Sequence, residues 1–258
     1  MELEIVTAAP ILNTPDFRQV FGGSDGRQIP KNALGHPVHN EFVALPGMRF
    51  QIEETLNDSI CRVRTSAYCA EALYLDLRFT CQAPARRPTP LFPSINELAN
   101  RMERLLGTKY VWGGNWSAGI PEMLELYPPR GTIDDLTKTF WTFRGVDCSG
   151  LLYETSRGLT PRNTSDLLRF GESVRIENKT AKQMIKLLQP MDIVVWPGHV
   201  WYVLNSEFSI ESKSPFGVIR RNLLERLEET LRERRGVNHW ADYPDPGSHF
   251  VVRRIKTD

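Results

Sequence analysis

A chain of 258 residues that is 41% hydrophobic and 24% charged can bury a core, and its length fits one large domain or, as favoured here, two smaller ones. Lys and Arg number 32 against 31 Asp and Glu, so the counterion release that drives nucleic-acid binding has no source and no polyanionic partner is expected. No apolar run reaches the length of a membrane span, and the acidic start Met1-Glu2-Leu3-Glu4 lacks the basic flank of a secretory signal, so no membrane association is expected and the expected location is cytoplasmic.

Residues 1–81 are expected to form a small β-barrel. Short β-prone pieces are broken by turn signals at Gly22-Gly23, Asp25-Gly26, His36-Pro37, Pro46-Gly47 and Asn57-Asp58. Met48-Arg49-Phe50-Gln51-Ile52 and Ile60-Cys61-Arg62-Val63-Arg64 alternate apolar and polar residues around the last of these, as a hairpin with one solvated face does. With Leu45-Pro46-Gly47 leading into the hairpin and Leu73-Tyr74-Leu75 as a closing strand, the stretch resembles a bacterial SH3-like domain.

Residues 82–93 carry Pro84, Pro88, Pro90 and Pro93 and read as a semi-rigid linker. Beyond it, Ser94 and Glu97 form a capping-box pattern, and Ile95, Leu98, Met102 and Leu105 recur at helical spacing until Gly107. A helix therefore opens the second domain, 94–258.

The four cysteines, Cys61, Cys69, Cys81 and Cys148, show neither metal spacing nor the density of a disulfide scaffold and read as free thiols. Gly145-Val146-Asp147-Cys148-Ser149-Gly150 reads as a helix start with Asp147 as N-cap, and Gly158 ends the helix. Cys148 then sits in the first turn, where unpaired amide N–H groups and the helix dipole favour thiolate over thiol. The plainer reading of a lone cysteine is a small core residue. Met191 to Trp196 and His199 to Leu204 are two apolar strands joined through Pro197-Gly198, which places His199 at the start of the second. A following turn centred on Asn205 pairs Val203 with Glu207, Trp201 with Ser209 and His199 with Glu211. Directly opposed Cβ atoms lie roughly 4.5–5.5 Å apart, so Glu211 can orient the imidazole as the third member of a Cys-His-acid arrangement. The alternative is an exposed edge carboxylate. Leu223, Leu224, Leu227 and Leu231 mark an amphipathic helix whose Glu and Arg residues are read as a solvated face. His36, His39, His239 and His249 lack ligand spacing, and neither a metal nor a cofactor is expected.

Four blocks in order resemble the NlpC family of papain-like cell-wall peptidases across roughly residues 95–215: Tyr110-Val111-Trp112-Gly113-Gly114, Asp147-Cys148-Ser149-Gly150, Thr160-Pro161-Arg162-Asn163-Thr164-Ser165, and Leu188-Gln189-Pro190-Met191-Asp192 running into Gly198-His199-Val200. The resemblance implies an α+β chain in which the β-barrel precedes helices packed on an antiparallel sheet. It implies Cys148 as nucleophile, His199 as base and, by position, Glu211 as the orienting residue. Histidine, asparagine or glutamine is commoner at that third place in the family, while related CHAP amidases more often use an acid. Met191 and Trp201 stand where glycine is usual, and about 115–145 reads as an insertion. The implied substrate is a murein peptide, cut between γ-linked D-glutamate and a diamino acid, as in peptide recycling. Asp147 and Ser149 are then expected to hold the free amino terminus of L-alanine, a role that does not exclude N-capping by Asp147. Tyr68, from an SH3-like domain expected to close one end of the cleft, joins Tyr110, Trp112 and Arg162 as substrate-binding candidates. The alternatives are a CHAP-like amidase or acyltransferase of the same superfamily, or a non-catalytic wall-binding protein.

Overall fold

The computed structural model describes residues 2–85, 90–241 and 243–256. In chain order they form β1 (Glu2–Ile5), β2 (Ala9–Leu12), α1 (Phe17–Val20), β3 (Asn40–Ala44), β4 (Arg49–Thr55), β5 (Ile60–Thr65), β6 (Tyr68–Asp76), β7 (Thr80–Gln82) and α2 (Ile95–Arg104). There follow β8 (Asn115–Trp116), α3 (Met123–Leu126), α4 (Asp135–Trp141), β9 (Gly145–Val146), α5 (Cys148–Thr155), α6 (Thr164–Leu167), β10 (Glu172–Ser173) and α7 (Ala181–Ile185). The chain continues through β11 (Ile193–Trp196), β12 (His199–Val203), β13 (Phe208–Lys213), β14 (Gly217–Asn222), α8 (Leu223–Glu233), β15 (Arg235–Gly236) and β16 (His249–Arg254). Among the described residues no helix is long and apolar enough to cross a membrane.

The elements fall into two units, and the chain visits each twice: Met1–Pro90 with Lys109–Asp147, and Leu91–Thr108 with Cys148–Asp258. This differs from a division into 1–81, a linker 82–93 and 94–258. The insertion read at about 115–145 belongs with the first sheet, and residue 82, read as the start of the linker, is still in β7. Of the linker, 86–89 lie outside the described residues.

In the first unit seven strands form an antiparallel half-barrel in the order β3-β2-β6-β5-β4-β1-β7. The expected hairpin is β4–β5, with Gln51 opposite Arg64 and Ile52 opposite Val63. Asn57 fixes its turn, its Oδ1 accepting from the amides of Ser59 and Ile60 at 2.9 Å each. Leu73-Tyr74-Leu75 was expected to close the sheet; it lies instead inside it, in β6 between β2 and β5. Aromatic packing explains why 109–147 joins this unit. Phe21 meets the rings of Tyr127, Trp141 and Phe143 at 5.4, 6.0 and 5.9 Å. Such side chains each bury about 150–250 Å², an apolar gain that chain proximity to α5 does not offset. The Tyr127 hydroxyl also donates to the fully buried Asp76 at 2.7 Å, and Asn115 pairs with the backbone of Val43 through both its amide atoms, at 2.9 and 2.7 Å. The two-residue ladder β8–β9 closes the inserted loop at its base, with Asn115 opposite Val146 and Trp116 opposite Gly145.

The second unit carries an antiparallel sheet in the order β10-β16-β11-β12-β13-β14, with β15 added parallel to β16. The α2 helix starts on the Ser94 cap, whose Oγ accepts from the Glu97 amide at 3.2 Å, while the Glu97 carboxylate pairs with Arg101. Its apolar stripe buries Leu98 and Met102, and Gly107 ends the run at φ +82°. α5 packs on α2 and on β12 and β13, while α7 and α8 cover a core that includes Val194, Trp201, Val203, Leu227 and Phe250.

Candidate functional site

Cys148 is the first residue of α5, and every residue from Cys148 to Tyr153 is buried. Tyr202 of β12 donates its hydroxyl to the Cys148 carbonyl at 2.9 Å, fixing the cysteine backbone against the strand. The first amides of a helix have no partner within it, so a first-turn sulfur lies in a field that favours its anion.

His199 is held by local backbone geometry. Trp196 pairs with His199 across a tight Pro197-Gly198 turn, where Gly198 adopts φ +91°. The Gly198 amide donates to Thr164 Oγ1 at 3.2 Å, so the Thr160–Ser165 block supports the turn that presents the histidine. The imidazole lies against the Trp196 ring at 5.2 Å, and its Nε2 is 2.7 Å from Glu211 Oε2. A neutral ring donating Nε2–H to that carboxylate carries its lone pair on Nδ1, the nitrogen left to take up a proton.

Glu211 meets the ring by a different register from the expected one. Tyr202 pairs with Ile210 and Val203 with Ser209, which continues to place Glu211 opposite Trp201 rather than His199. The cause is the turn. Asn205 Oδ1 accepts from the amides of Glu207 and Phe208 at 2.9 Å each, and the Leu204 and Asn205 amides both donate to the Phe208 carbonyl, so the bend centres one residue later. His199 and Glu211 share a face and meet diagonally, at a spacing that long side chains span.

The carboxylate of Glu211 is wholly buried, which rules out the exposed-edge alternative. Arg226 of α8 donates from Nη2 to Oε2 at 3.0 Å and places Nε 2.9 Å from Oε1, off the line of a hydrogen bond, so that second contact acts as an ion pair. Arg221 of β14 adds a further cation 3.6 Å from Oε1. Burial alone would raise the Glu211 pKa; the His199 hydrogen bond and the Arg226 charge outweigh it and bring the carboxyl down to about 2. This overturns the reading of the α8 charges as a solvated face. Leu223, Arg226, Leu227 and Thr230 are its buried residues, so Arg226 lies within the inward stripe. That spacing was present in the sequence and is the signal that identifies it. No comparable signal marks Tyr202, which reads as one more apolar strand residue.

Ser149 and Arg162 come together, with Arg162 Nη1 donating to Ser149 Oγ at 2.9 Å, both side chains buried. Burial beside them pushes the Tyr153 phenol up to about 12, against the opposing charge of Arg162. The remaining candidates lie in the first unit. Asp147 accepts from the Gly113 amide at 3.0 Å, and its own amide donates to the Gly114 carbonyl at 2.9 Å, so the Tyr110–Gly114 block seats this carboxylate. Gly113 is required there: φ is +71°, and a Cβ would fall 2.3 Å from Asn40 Nδ2. Tyr110 is half-buried, and Trp112 is exposed and stacked on His36 at 4.2 Å. Tyr68 donates its hydroxyl to Glu41 at 2.8 Å and stacks on Phe42 at 4.6 Å. The two departures from glycine have distinct structural settings. Met191 adopts φ +66°, a left-handed conformation that suits glycine, and Trp201 is buried with the Arg226 guanidinium 5.6 Å from its ring.

No family model matches the chain, and no curated protein matches its sequence. Among solved structures, an NlpC/P60 family protein from Bacillus cereus ATCC 10987 superposes over 98% of this chain and 99% of its own, with a TM-score of 0.56 at 13% sequence identity. The two proteins share an α+β fold, with an antiparallel half-barrel followed by helices packed on an antiparallel sheet. NlpC1 and NlpC2 of Trichomonas vaginalis cover 68% and 73% of their own lengths, at 15% identity and TM-scores of 0.35 and 0.36.

Proposed function

We propose that this protein is a cysteine peptidase with Cys148 as nucleophile, His199 as general base and Glu211 as the group that orients the ring. The observation that carries the reading is the 2.7 Å bond from His199 Nε2 to a buried, ionised Glu211, in the same unit as a cysteine at the first position of an eight-residue helix. In the proposed reaction His199 Nδ1 takes the Cys148 proton and the sulfur attacks the peptide carbonyl carbon. The tetrahedral intermediate collapses to a thioester as the C–N bond breaks and His199 returns the proton to the leaving amine. Water, activated by the same histidine, then hydrolyses the thioester. Glu211 holds the tautomer this sequence needs and stabilises the imidazolium between the two transfers.

The substrate class rests on the shared fold and on the sequence blocks. We propose a murein-derived peptide with free N-terminal L-alanine, cut between γ-D-glutamate and the diamino acid. Asp147, one residue before the nucleophile, supplies an anion for the ammonium group, and Ser149, Arg162, Tyr68, Tyr110 and Trp112 complete the proposed binding set. The SH3-like assignment of the first sheet belongs to this same reading. Mass spectrometry of an L-Ala-γ-D-Glu-diamino acid peptide after incubation tests it: L-Ala-D-Glu and the free diamino acid are expected, and an intact peptide would contradict it. The acid at position 211 also favours a CHAP-like amidase, and release of the intact peptide from a muropeptide acylated on the L-alanine nitrogen would assign the protein to that reaction instead.

A further inference from the structure

The chain of contacts from His199 does not end at Glu211. We infer that Arg226 is a positioning residue for the reaction, a buried fork that fixes Glu211 and, through it, both the orientation and the proton affinity of His199. The inference rests on the peptidase reading above and deepens it.

The geometry is that of a clamp. Arg226 is buried on α8, and its guanidinium touches both Glu211 oxygens, with Nη2 donating to the same Oε2 that receives the His199 ring. The opposite edge of the guanidinium is itself fixed. Nη1 donates to Glu229 Oε2 at 3.1 Å and lies 3.3 Å from Thr230 Oγ1, and the guanidinium carbon lies 5.6 and 5.8 Å from the ring centroids of Trp201 and Trp196. Glu229 is held in turn by Arg221 at 2.5 Å. A glutamate side chain pivots about three bonds, so without a second anchor its carboxylate is a loose support for a ring. A rigid guanidinium that hydrogen-bonds one oxygen and pairs in charge with the other removes that freedom, as a single ammonium would not.

The clamp also divides the charge. A buried carboxylate facing only His199 would give its full field to the imidazolium; with Arg226 on its other side, part of that field is already compensated. The charged groups facing Glu211 are His199 from β12, Arg221 from β14 and Arg226 from α8, with Lys213 on its own strand. α5, which packs on β12 and β13, adds Cys148, Tyr153 and Glu154 as titratable side chains. Removing the Arg226 cation therefore raises the His199 pKa, provided that Glu211 remains ionised, and Arg221 and the ring itself favour that state.

The experiment follows the His199 ring by NMR in the full-length Cys148→Ala protein, where no thiol titrates with it and no substrate is needed; His199→Gln supplies the assignment. Arg226→Met is expected to raise the ring pKa by about one unit. Arg226→Lys keeps the charge and loses the fork, so its ring titrates near the wild-type value while the low-field Nε2–H signal of the bond to Glu211 weakens. With Cys148 present, Arg226→Met is expected to lose roughly a hundredfold in kcat with KM less affected, and Arg226→Lys to lose less. An unchanged or lowered ring pKa in Arg226→Met overturns the inference. If that variant does not fold, Arg226→Lys decides alone, and a wild-type Nε2–H signal overturns it. Absence of turnover in the wild-type protein would sink the peptidase reading and leave the ring measurements to judge the clamp independently.

Discussion

Cys61 lies in β5 and Cys148 opens α5, and both are buried, yet they sit in different electrostatic settings. The Cys61 thiol donates to the Leu75 carbonyl at 3.6 Å; burial first, and the nearby Asp76 charge second, push its pKa up to about 11. Cys148 sits instead at the amide-rich end of a helix, in the unit that holds His199, Glu211 and Arg226. Burial is common to both sites, so what separates a core thiol from a candidate nucleophile is the sign of the charge and dipole that face it.

The largest expected effect separates the two cysteines in turnover. Cys148→Ala, and likewise His199→Ala, should lower kcat by roughly 10⁴-fold or more, with the double variant little worse because nucleophile and base act together. Cys61→Ala should leave kcat unchanged, and steady-state kinetics on the murein tripeptide read all four proteins.

Replacing the orienting acid comes next. Glu211→Gln removes one of the two carboxylates that meet the buried Arg226, leaving Glu229, and should show as a lowered Tm. Turnover should fall moderately, with the alkaline limb of the kcat/KM profile moved to lower pH because the imidazolium has lost its counter-charge. Glu211→Ala should lose more turnover, since the ring then also loses its hydrogen-bond acceptor.

Acid stability gives a third test. The Glu211 carboxyl is lowered from 4.5 to about 2 in the folded protein, so its contribution is fully present above the unfolded value and is lost as pH falls toward the folded one. A shift of that size corresponds to about 3 kcal/mol. Denaturant midpoints between about pH 5 and pH 2 should therefore fall more steeply for the wild-type protein than for Glu211→Gln. Parallel curves would mean that the ion pairs do not hold the carboxyl down. The smallest effect falls on the core thiol, where Cys61→Ala should cost about 1 kcal/mol in the same assay.

Local pattern was enough to identify the helix start at Cys148 and the strand start at His199, because an N-terminal cap sequence and a Pro-Gly turn act within a few residues. Glu211 was legible as a residue but not as a pairing. The Asn205 side chain, whose bonds to Glu207 and Phe208 move the bend by one residue, is a detail that hydrophobic alternation does not encode. Arg226 was misread because charge on an amphipathic helix usually faces water, although its place between Leu223 and Leu227 put it on the inward stripe. The allegiance of 109–147 to the first sheet depends on Phe17 and Phe21 meeting Tyr127, Trp141 and Phe143, contacts between segments about a hundred residues apart in sequence. Met191 shows the reverse case, in which the sequence departure from glycine fell on a residue with φ +66°.

Alkylation by iodoacetamide at mildly acid to neutral pH, mapped by peptide mass spectrometry, tests the central claim most directly. The account predicts that Cys148 reacts faster than the exposed Cys69 and Cys81 under conditions where Cys61 does not react, and that His199→Ala removes this advantage. Labelling of Cys148 no faster than Cys69 and Cys81, or unchanged by His199→Ala, would contradict it.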